Sequence, residues 1–185
     1  MSKSFNSIVF AAALAIALPL AAQAGSGTRV SPHESLTNTI DGDLITLTYG
    51  RPYSKDPKSG KVREIWGTLV PWGQPWRMGA DEATTLTIKM PIVIGDTTIP
   101  VGSYTLYMVP DEKGTSKMAF CKKTGQWGIP VDTSDDLTRV DLKKEPLDTN
   151  VDQYTMALEN NPSGGGRITF KWEKAQYSVD FKVKK

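Results

Sequence analysis

Residues 167–183, RITFKWEKAQYSVDFKV, contain the clearest structural pattern in the chain. Apolar and polar side chains alternate on both sides of Lys174-Ala175, and the apolar set is Ile168, Phe170, Trp172, Tyr177, Val179, Phe181 and Val183. Successive side chains of a strand point to opposite faces, so a period of two is typical of strands with one buried face. We therefore predict an antiparallel hairpin with a short turn at Lys174-Ala175.

Further strands are predicted upstream, several of them around turns that contain glycine. Residues 36–40 and 44–49 flank Asp41-Gly42, and residues 92–94 and 97–99 flank Gly95-Asp96, where glycine accepts the positive φ of a tight turn. No window shows the apolar stripe of a helix. The remaining candidate strands are residues 103–109, 117–122, 137–142 and 154–158, the last before the glycine turn 164–166. Nine or ten short strands predict an all-β fold, a single antiparallel β-sandwich or jelly-roll-like domain.

The first 24 residues differ in composition from the rest. Lys3 precedes a nearly continuous apolar run over residues 8–20, and Ala22 and Ala24 place small residues at the two positions that a signal peptidase recognises. The run is too short for a resident membrane helix. We expect residues 1–24 to be a cleaved bacterial signal peptide and residues 25–185 to be one β domain. The protein would then be exported, to the periplasm or outside the cell, with no membrane span in the mature chain.

Charge and residue counts argue against several functions. With 22 lysines and arginines against 20 acidic residues, the chain lacks the excess of basic charge that nucleic-acid binding requires. A single histidine, His33, and a single cysteine, Cys121, exclude multi-histidine and multi-thiolate metal sites. Cys121 lies in a strand-like run and is interpreted as a small buried apolar residue. No cofactor fingerprint or nucleophile elbow is present, so we predict neither a cofactor nor a metal and assign no catalytic residue.

Residues 49–84 interrupt the rhythm of hairpins. Three of the five tryptophans and four of the twelve prolines fall here. A long ordered loop on a β scaffold either carries function or folds over the core. In the first hypothesis, a glycan or small anion binds in a cleft, and Glu82 orients Arg77 by an ion pair. The cleft is then lined by Arg51, Arg63, Arg77, Trp66, Trp72 and Trp76. In the second, the tryptophans cap the core and the arginines pair with Glu64, Asp81 and Glu82.

The same segment also carries a set of distinctive motifs. They are Tyr49-Gly50-Arg51-Pro52, Ile65-Trp66-Gly67, Leu69-Val70-Pro71, Trp76-Arg77, Gly79-Ala80 and Glu82-Ala83-Thr84, joined elsewhere by Ser31-Pro32-His33-Glu34, residues 102–107 and residues 124–128. Together they resemble a bacterial family catalogued as domain of unknown function 2911. The lysine-rich insert 55–61 departs from that pattern. The resemblance implies an exported β domain and transfers no catalytic residue, because the family has no assigned activity.

We therefore predict a non-enzymatic domain for ligand binding or envelope interaction. Its candidate partners are a glycan, a small anion or an envelope protein, and its candidate binding residues are Arg51, Arg63, Trp66, Trp76, Arg77 and Glu82. The alternative is a hydrolase of glycans or other envelope material that uses Glu82 or Glu64. A glycosidase needs two carboxyl groups that face each other across a cleft.

Overall fold

A computed structural model describes residues 29–185, so the predicted signal peptide, with Ala22 and Ala24, lies outside the described residues. Ten strands form the fold: β1 (His33–Ile40), β2 (Asp43–Gly50), β3 (Thr84–Ile88), β4 (Ile92–Ile94), β5 (Thr97–Ile99), β6 (Gly102–Val109), β7 (Lys117–Cys121), β8 (Asp136–Asp141), β9 (Lys143–Asn160) and β10 (Gly166–Val183). Within this part of the chain, no helix is long and apolar enough to cross a membrane.

The strands form two antiparallel sheets. The six-stranded sheet has the order β1-β2-β3-β6-β7-β8, and the four-stranded sheet has the order β5-β4-β10-β9. The predicted hairpins around Asp41-Gly42 and Gly95-Asp96 are present as β1–β2 and β4–β5. The all-β, sandwich-like fold is thus confirmed.

The main core contains apolar side chains of both sheets. Leu47 and Leu86 from the larger sheet and Phe170 and Tyr177 from β10 are all buried in one cluster. A second, small cluster contains Tyr107, Ala119 and Cys121. Because neighbouring residues of a strand point to opposite faces, this cluster lies on the other side of the larger sheet from the main core. Cys121 is fully buried there, as predicted.

The predicted hairpin turn at Lys174-Ala175 is wrong, because β10 continues through it from Gly166 to Val183. Glu173 has a φ of 51°, and the pairing of β10 with β9 shifts register on either side of it. The buried apolar positions are even-numbered up to Trp172 and odd-numbered from Ala175 onward. A bulge adds one residue to a strand and so exchanges its two faces. The break in alternation is therefore a bulge within one long strand.

Residues 51–83, which join β2 to β3, contain no long strand and pack against both sheets. Tyr53 forms an isolated bridge with Gln153 of β9, and Trp76 forms one with Met108 of β6. The Trp76 N–H donates to the Met108 carbonyl at 2.7 Å, and the Met108 N–H donates back at 2.8 Å. These contacts fix the connection, called segment 51–83 below, across the two sheets.

Candidate functional site

A cavity of about 490 Å³ lies beside segment 51–83. Most of its lining comes from that segment, and Val30, Ser31, Ile129 and Trp172 complete it. Of the predicted binding residues, the cavity brings together Arg63, Trp76 and Arg77. Arg51, Trp66 and Glu82 do not line it, so the predicted set is divided.

The tryptophans are packed chiefly against other aromatic rings. Trp76 stacks on Trp172 with ring centroids 5.7 Å apart, and Trp66 stacks on Trp72 at 6.2 Å. Trp76 and Trp172 are only 7% and 1% exposed. Their faces are therefore used within the core, as the second hypothesis expected of the tryptophans, and they border the cavity without offering an open stacking surface.

Arg77 lies at the cavity wall with its guanidinium half-buried. Its Nε donates to the Gly79 carbonyl oxygen at 3.2 Å. Burial lowers the pKa of Arg77, and the nearby Asp81 charge opposes this effect. In the part of the chain that the structure describes, no carboxylate oxygen lies within 4.0 Å of the guanidinium nitrogens, so the expected ion pair with Glu82 is not formed.

The side chain of Arg77 passes directly under residue 128. A Cβ atom at Gly128 would lie 2.4 Å from the Arg77 Cδ. The Gly128 N–H also donates to the Asp81 carbonyl oxygen at 2.9 Å, which holds the two chain segments together. A glycine at this position therefore leaves the space through which Arg77 reaches the cavity.

The other two arginines have mainly structural contacts. Arg51 Nη2 donates to Thr155 Oγ1 at 3.0 Å, and its Nη1 lies 3.3 Å from Glu34 Oε2. Arg63 lines the cavity, but it donates to the carbonyl oxygens of Tyr53 and Ser54. The expected pairs of the three arginines with Glu64, Asp81 and Glu82 are therefore wrong, because backbone carbonyls and Glu34 are nearer partners.

Glu82 belongs to a separate, smaller cavity of about 130 Å³. Its Oε1 accepts a hydrogen bond from Arg29 Nε at 2.7 Å, and its Oε2 lies 3.4 Å from His33 Nε2. The hydrogen bond from Arg29 is the main reason that the pKa of Glu82 is lowered. Glu64 lines neither of the two cavities, so the two carboxylates of the hydrolase hypothesis do not share a cleft.

Asp81 lines the large cavity and contacts His33 of the smaller one, and it was not predicted as a binding residue. It is buried, has a φ of 63°, and accepts a hydrogen bond from the Ser31 N–H at 3.1 Å. The same carboxylate oxygen lies 3.2 Å from His33 Nε2. Asp81 therefore fixes the start of the described chain against the cavity wall. No periodic pattern in the sequence indicated this long-range contact.

Most of the exposed side chains in the lining of the large cavity are apolar. Four of them are large, and they are Val30 (54%), Tyr53 (41%), Leu69 (39%) and Ile129 (57%). Pro57 and Lys58 are exposed as well. The four large ones are among the seven large apolar side chains that are exposed in residues 29–185. We call these four residues the apolar rim. More than half of the large exposed apolar side chains of the described residues thus lie at this cavity.

Metal-binding groups are not clustered in the described chain. Across residues 29–185, no group of three or more histidine, cysteine, aspartate or glutamate side chains is arranged to hold a metal ion. The large cavity therefore offers the half-buried guanidinium of Arg77, the cations Arg63 and Lys58, several exposed apolar side chains and carboxylates that are already hydrogen-bonded.

Comparison with known proteins gives one match. The model of the family described as "Protein of unknown function (DUF2911)" matches residues 31–181. The match includes all ten strands except the last two residues of β10, as well as the whole of segment 51–83. No curated protein and no solved structure matches the chain.

Proposed function

The chain belongs to DUF2911, a family of proteins of unknown function, and we propose that this member is a binding protein that holds a small organic anion in the cavity beside Arg77. The observation that carries the proposal is the half-buried Arg77 guanidinium, which has no carboxylate within 4.0 Å in the described chain. A partly desolvated charge is unfavourable until an opposite charge compensates it. A guanidinium also offers two parallel donors that match the oxygens of a carboxylate.

A small anion agrees with the cavity better than a glycan does. Recognition of a sugar ring by aromatic residues requires an open ring face. The faces of Trp76 and Trp172 are used by each other, and both rings are almost fully buried. Tyr53 is the exposed aromatic residue at the mouth. Arg77 is therefore the anion-binding group in this proposal, and Arg63 and Trp76 form part of the cavity wall.

The proposal does not include hydrolysis by Glu64 or Glu82. Glu82 is held by Arg29 and His33 at the smaller cavity, and Glu64 lines neither cavity. Asp56 and Asp81 are the carboxylates at the large cavity, and both accept backbone N–H groups. No observation favours a second function for these residues.

We also propose that binding takes place outside the cytoplasm, in a single mature domain that begins at Gly25. The N-terminal pattern of Lys3, the apolar run and Ala22-Gln23-Ala24 supports export. Cell fractionation and intact mass of the purified protein test this: we expect it in the periplasm or medium, starting at Gly25. A full-length protein found in the cytoplasm would contradict the proposal.

Thermal unfolding with added anions tests the binding site. The protein is purified from bacteria that express the full chain and is mixed with benzoate, acetate, inorganic phosphate or N-acetylglucosamine. A ligand at 100 times its Kd stabilises the native state by about 2.7 kcal/mol. We expect benzoate to raise the Tm of the wild type and of Arg167→Gln, whose arginine is partly exposed, pairs with Asp180 and does not line the cavity. We expect no such shift for Arg77→Gln.

Two outcomes would overturn the proposal. One is an equal shift for Arg77→Gln and the wild type, since Arg77 would then not bind the anion. The other is no shift with any anion in the wild type. Arg77→Lys separates charge from geometry: it keeps the charge without the two parallel donors, and we expect weaker binding that is still measurable.

A further inference from the structure

We infer that the anion is an amphipathic monocarboxylate, whose carboxylate binds Arg77 and whose apolar body lies against the apolar rim. This inference rests on the proposed function and specifies its ligand class. It follows from three properties of the cavity. These are the position of its exposed apolar side chains, the number of cationic side chains whose N–H groups are not already hydrogen-bonded, and the volume of the cavity.

Exposed apolar side chains mark the mouth of the cavity. Ile129 and Val30 are 57% and 54% exposed, and Tyr53 and Leu69 also stand at the opening. Single exposed apolar residues are ordinary on a protein surface, whereas a contiguous group around a cavity marks a binding site. A ligand with an apolar body removes this surface from water, which acetate or phosphate does not do.

The cavity also favours a single negative charge. Its charged lining consists of Asp56, Lys58, Arg63, Arg77 and Asp81. The Asp56 carboxylate accepts the N–H groups of Lys58 and Ser59, and Arg63 donates to backbone carbonyls. Asp81 accepts from Ser31 and contacts His33.

In the described chain, Arg77 is the half-buried cation of the cavity whose two terminal guanidinium nitrogens both lack a hydrogen-bond partner, whereas Arg63 already uses its Nε and Nη2, and Lys58 is exposed in the loop at the opening. The negative charge of Asp81 acts on Arg77 as well, so it repels additional negative charge on a ligand. A monoanion satisfies Arg77, whereas a dianion such as phosphate leaves one charge uncompensated beside Asp81. A planar carboxylate is the monoanion that matches a guanidinium by two parallel hydrogen bonds.

The volume agrees with a ligand larger than the head group alone. The cavity of about 490 Å³ lies within the range of about 300–1,000 Å³ that is common for small-molecule sites. In this inference, Arg77 binds the carboxylate end of the ligand. The walls formed by Trp76, Trp172 and Pro52, together with the apolar rim, contact its apolar body. A medium alkyl chain or an aromatic acid has this combination of groups.

A chain-length series tests the inference. The Kd values of acetate, butanoate, hexanoate and octanoate are measured by calorimetry with the purified protein, below micelle-forming concentrations. Full burial of a methylene corresponds to about fourfold in affinity, so we expect the Kd to fall by about two- to fourfold for each added methylene. Octan-1-ol and octylamine serve as controls of equal length without the negative charge, and we expect binding at least tenfold weaker than that of octanoate.

Substitutions in the apolar rim locate the alkyl chain. Leu69→Ser and Ile129→Ser are expected to reduce the gain in affinity per methylene. Val101→Ser is the matched control, because Val101 is 53% exposed and does not line the cavity. We expect the chain-length dependence of Val101→Ser to equal that of the wild type.

The outcomes separate this inference from the proposed function. If acetate and octanoate bind equally well and both require Arg77, the inference is wrong and the proposed anion site stands. If octan-1-ol binds as well as octanoate and Arg77→Gln changes neither, both are wrong. If Leu69→Ser and Ile129→Ser keep the full gain per methylene, the alkyl chain lies elsewhere and the inference is wrong.

Discussion

The carbonyl oxygen of Ala80 lies 2.1 Å from the point that a Cβ atom on Gly50 would occupy. Gly50 ends β2, and Ala80 lies near the end of segment 51–83, so two distant parts of the backbone meet here without an intervening side chain. Gly79 faces the same contact from the other side, since its Cβ would lie 2.8 Å from the Gly50 carbonyl oxygen. This close approach holds the end of segment 51–83, which carries Arg77 and Asp81, against the end of β2.

We predict that Gly50→Ala destabilises the protein, because the new methyl group meets backbone that cannot rotate away. Overpacking of this kind costs about 1–3 kcal/mol. The free energy of unfolding in urea measures the loss. Leu44→Ala, at an exposed position of the same strand, is the control and is expected to stay within about 0.5 kcal/mol of the wild type. Equal losses for the two variants would show that the contact is not tight in solution.

Asp81 gives a second prediction, which depends on its backbone conformation as well as on its hydrogen bonds. Asparagine keeps an oxygen that accepts the Ser31 N–H and tolerates a φ of 63°, whereas alanine does neither. We expect Asp81→Ala to lower the free energy of unfolding by about 1–3 kcal/mol, the usual effect of an unpaired buried group. Asp81→Asn is expected to lose less than half of that. Equal losses in urea titrations would contradict this account.

Local turn chemistry made most of the fold predictable from sequence. Asp41-Gly42 places both turn residues at positive φ, 49° and 94°, which is the geometry of a two-residue hairpin turn. The turn predicted at Lys174-Ala175 was wrong because local sequence did not decide the structure there. Glu173 is not a typical residue for positive φ, and a shift in alternation alone does not distinguish a turn from a bulge. Only the pairing with β9, distant in sequence, decides between them.

The candidate site was predictable only in part. The composition of residues 49–84 located the segment, and Arg63, Trp76 and Arg77 do line the cavity. Arg51 and Glu82 do not line the cavity because they contact partners that lie far from them in the sequence. Thr155 lies 104 residues from Arg51, and Arg29 lies 53 residues from Glu82. Residue types at short spacing carry no information about such contacts, so the sequence left both hypotheses open.

Tyr49 predicts how stability depends on alkaline pH. Its hydroxyl donates to Glu34 Oε2 at 2.7 Å and accepts the Met156 N–H at 2.9 Å. Burial, aided by the hydrogen bond to Glu34, raises the pKa of Tyr49 to about 12. A pKa raised in the folded state stabilises the protein fully below the unfolded value of about 10, and that stability is lost as pH rises toward 12.

We therefore expect Tyr49→Phe to be less stable than the wild type at pH 7, because the Met156 N–H loses its partner. It should also lose stability less steeply between about pH 10 and 12, by at most about 1.4 kcal/mol per pH unit. Urea unfolding at several pH values measures both effects. Tyr53→Phe, at an exposed tyrosine, should keep the slope of the wild type. An unchanged slope for Tyr49→Phe would show that Tyr49 titrates normally in the folded protein.

The bulge at Glu173 leads us to predict a substitution that stabilises the protein. At a φ of 51°, a residue with a side chain is disfavoured by about 1–2 kcal/mol relative to glycine, which exceeds the entropic cost of glycine in a strand, about 0.5–1 kcal/mol. Burial also raises the pKa of Glu173, and the charge of Glu64 adds to this, so the carboxylate itself is disfavoured. We expect Glu173→Gly to raise the free energy of unfolding by up to about 1 kcal/mol. Lys171→Gly, at the last β10 residue that pairs with β9 before the register shift, is expected to lower it by about 0.5–1 kcal/mol. A loss in both variants would mean that Glu173 is not held at positive φ.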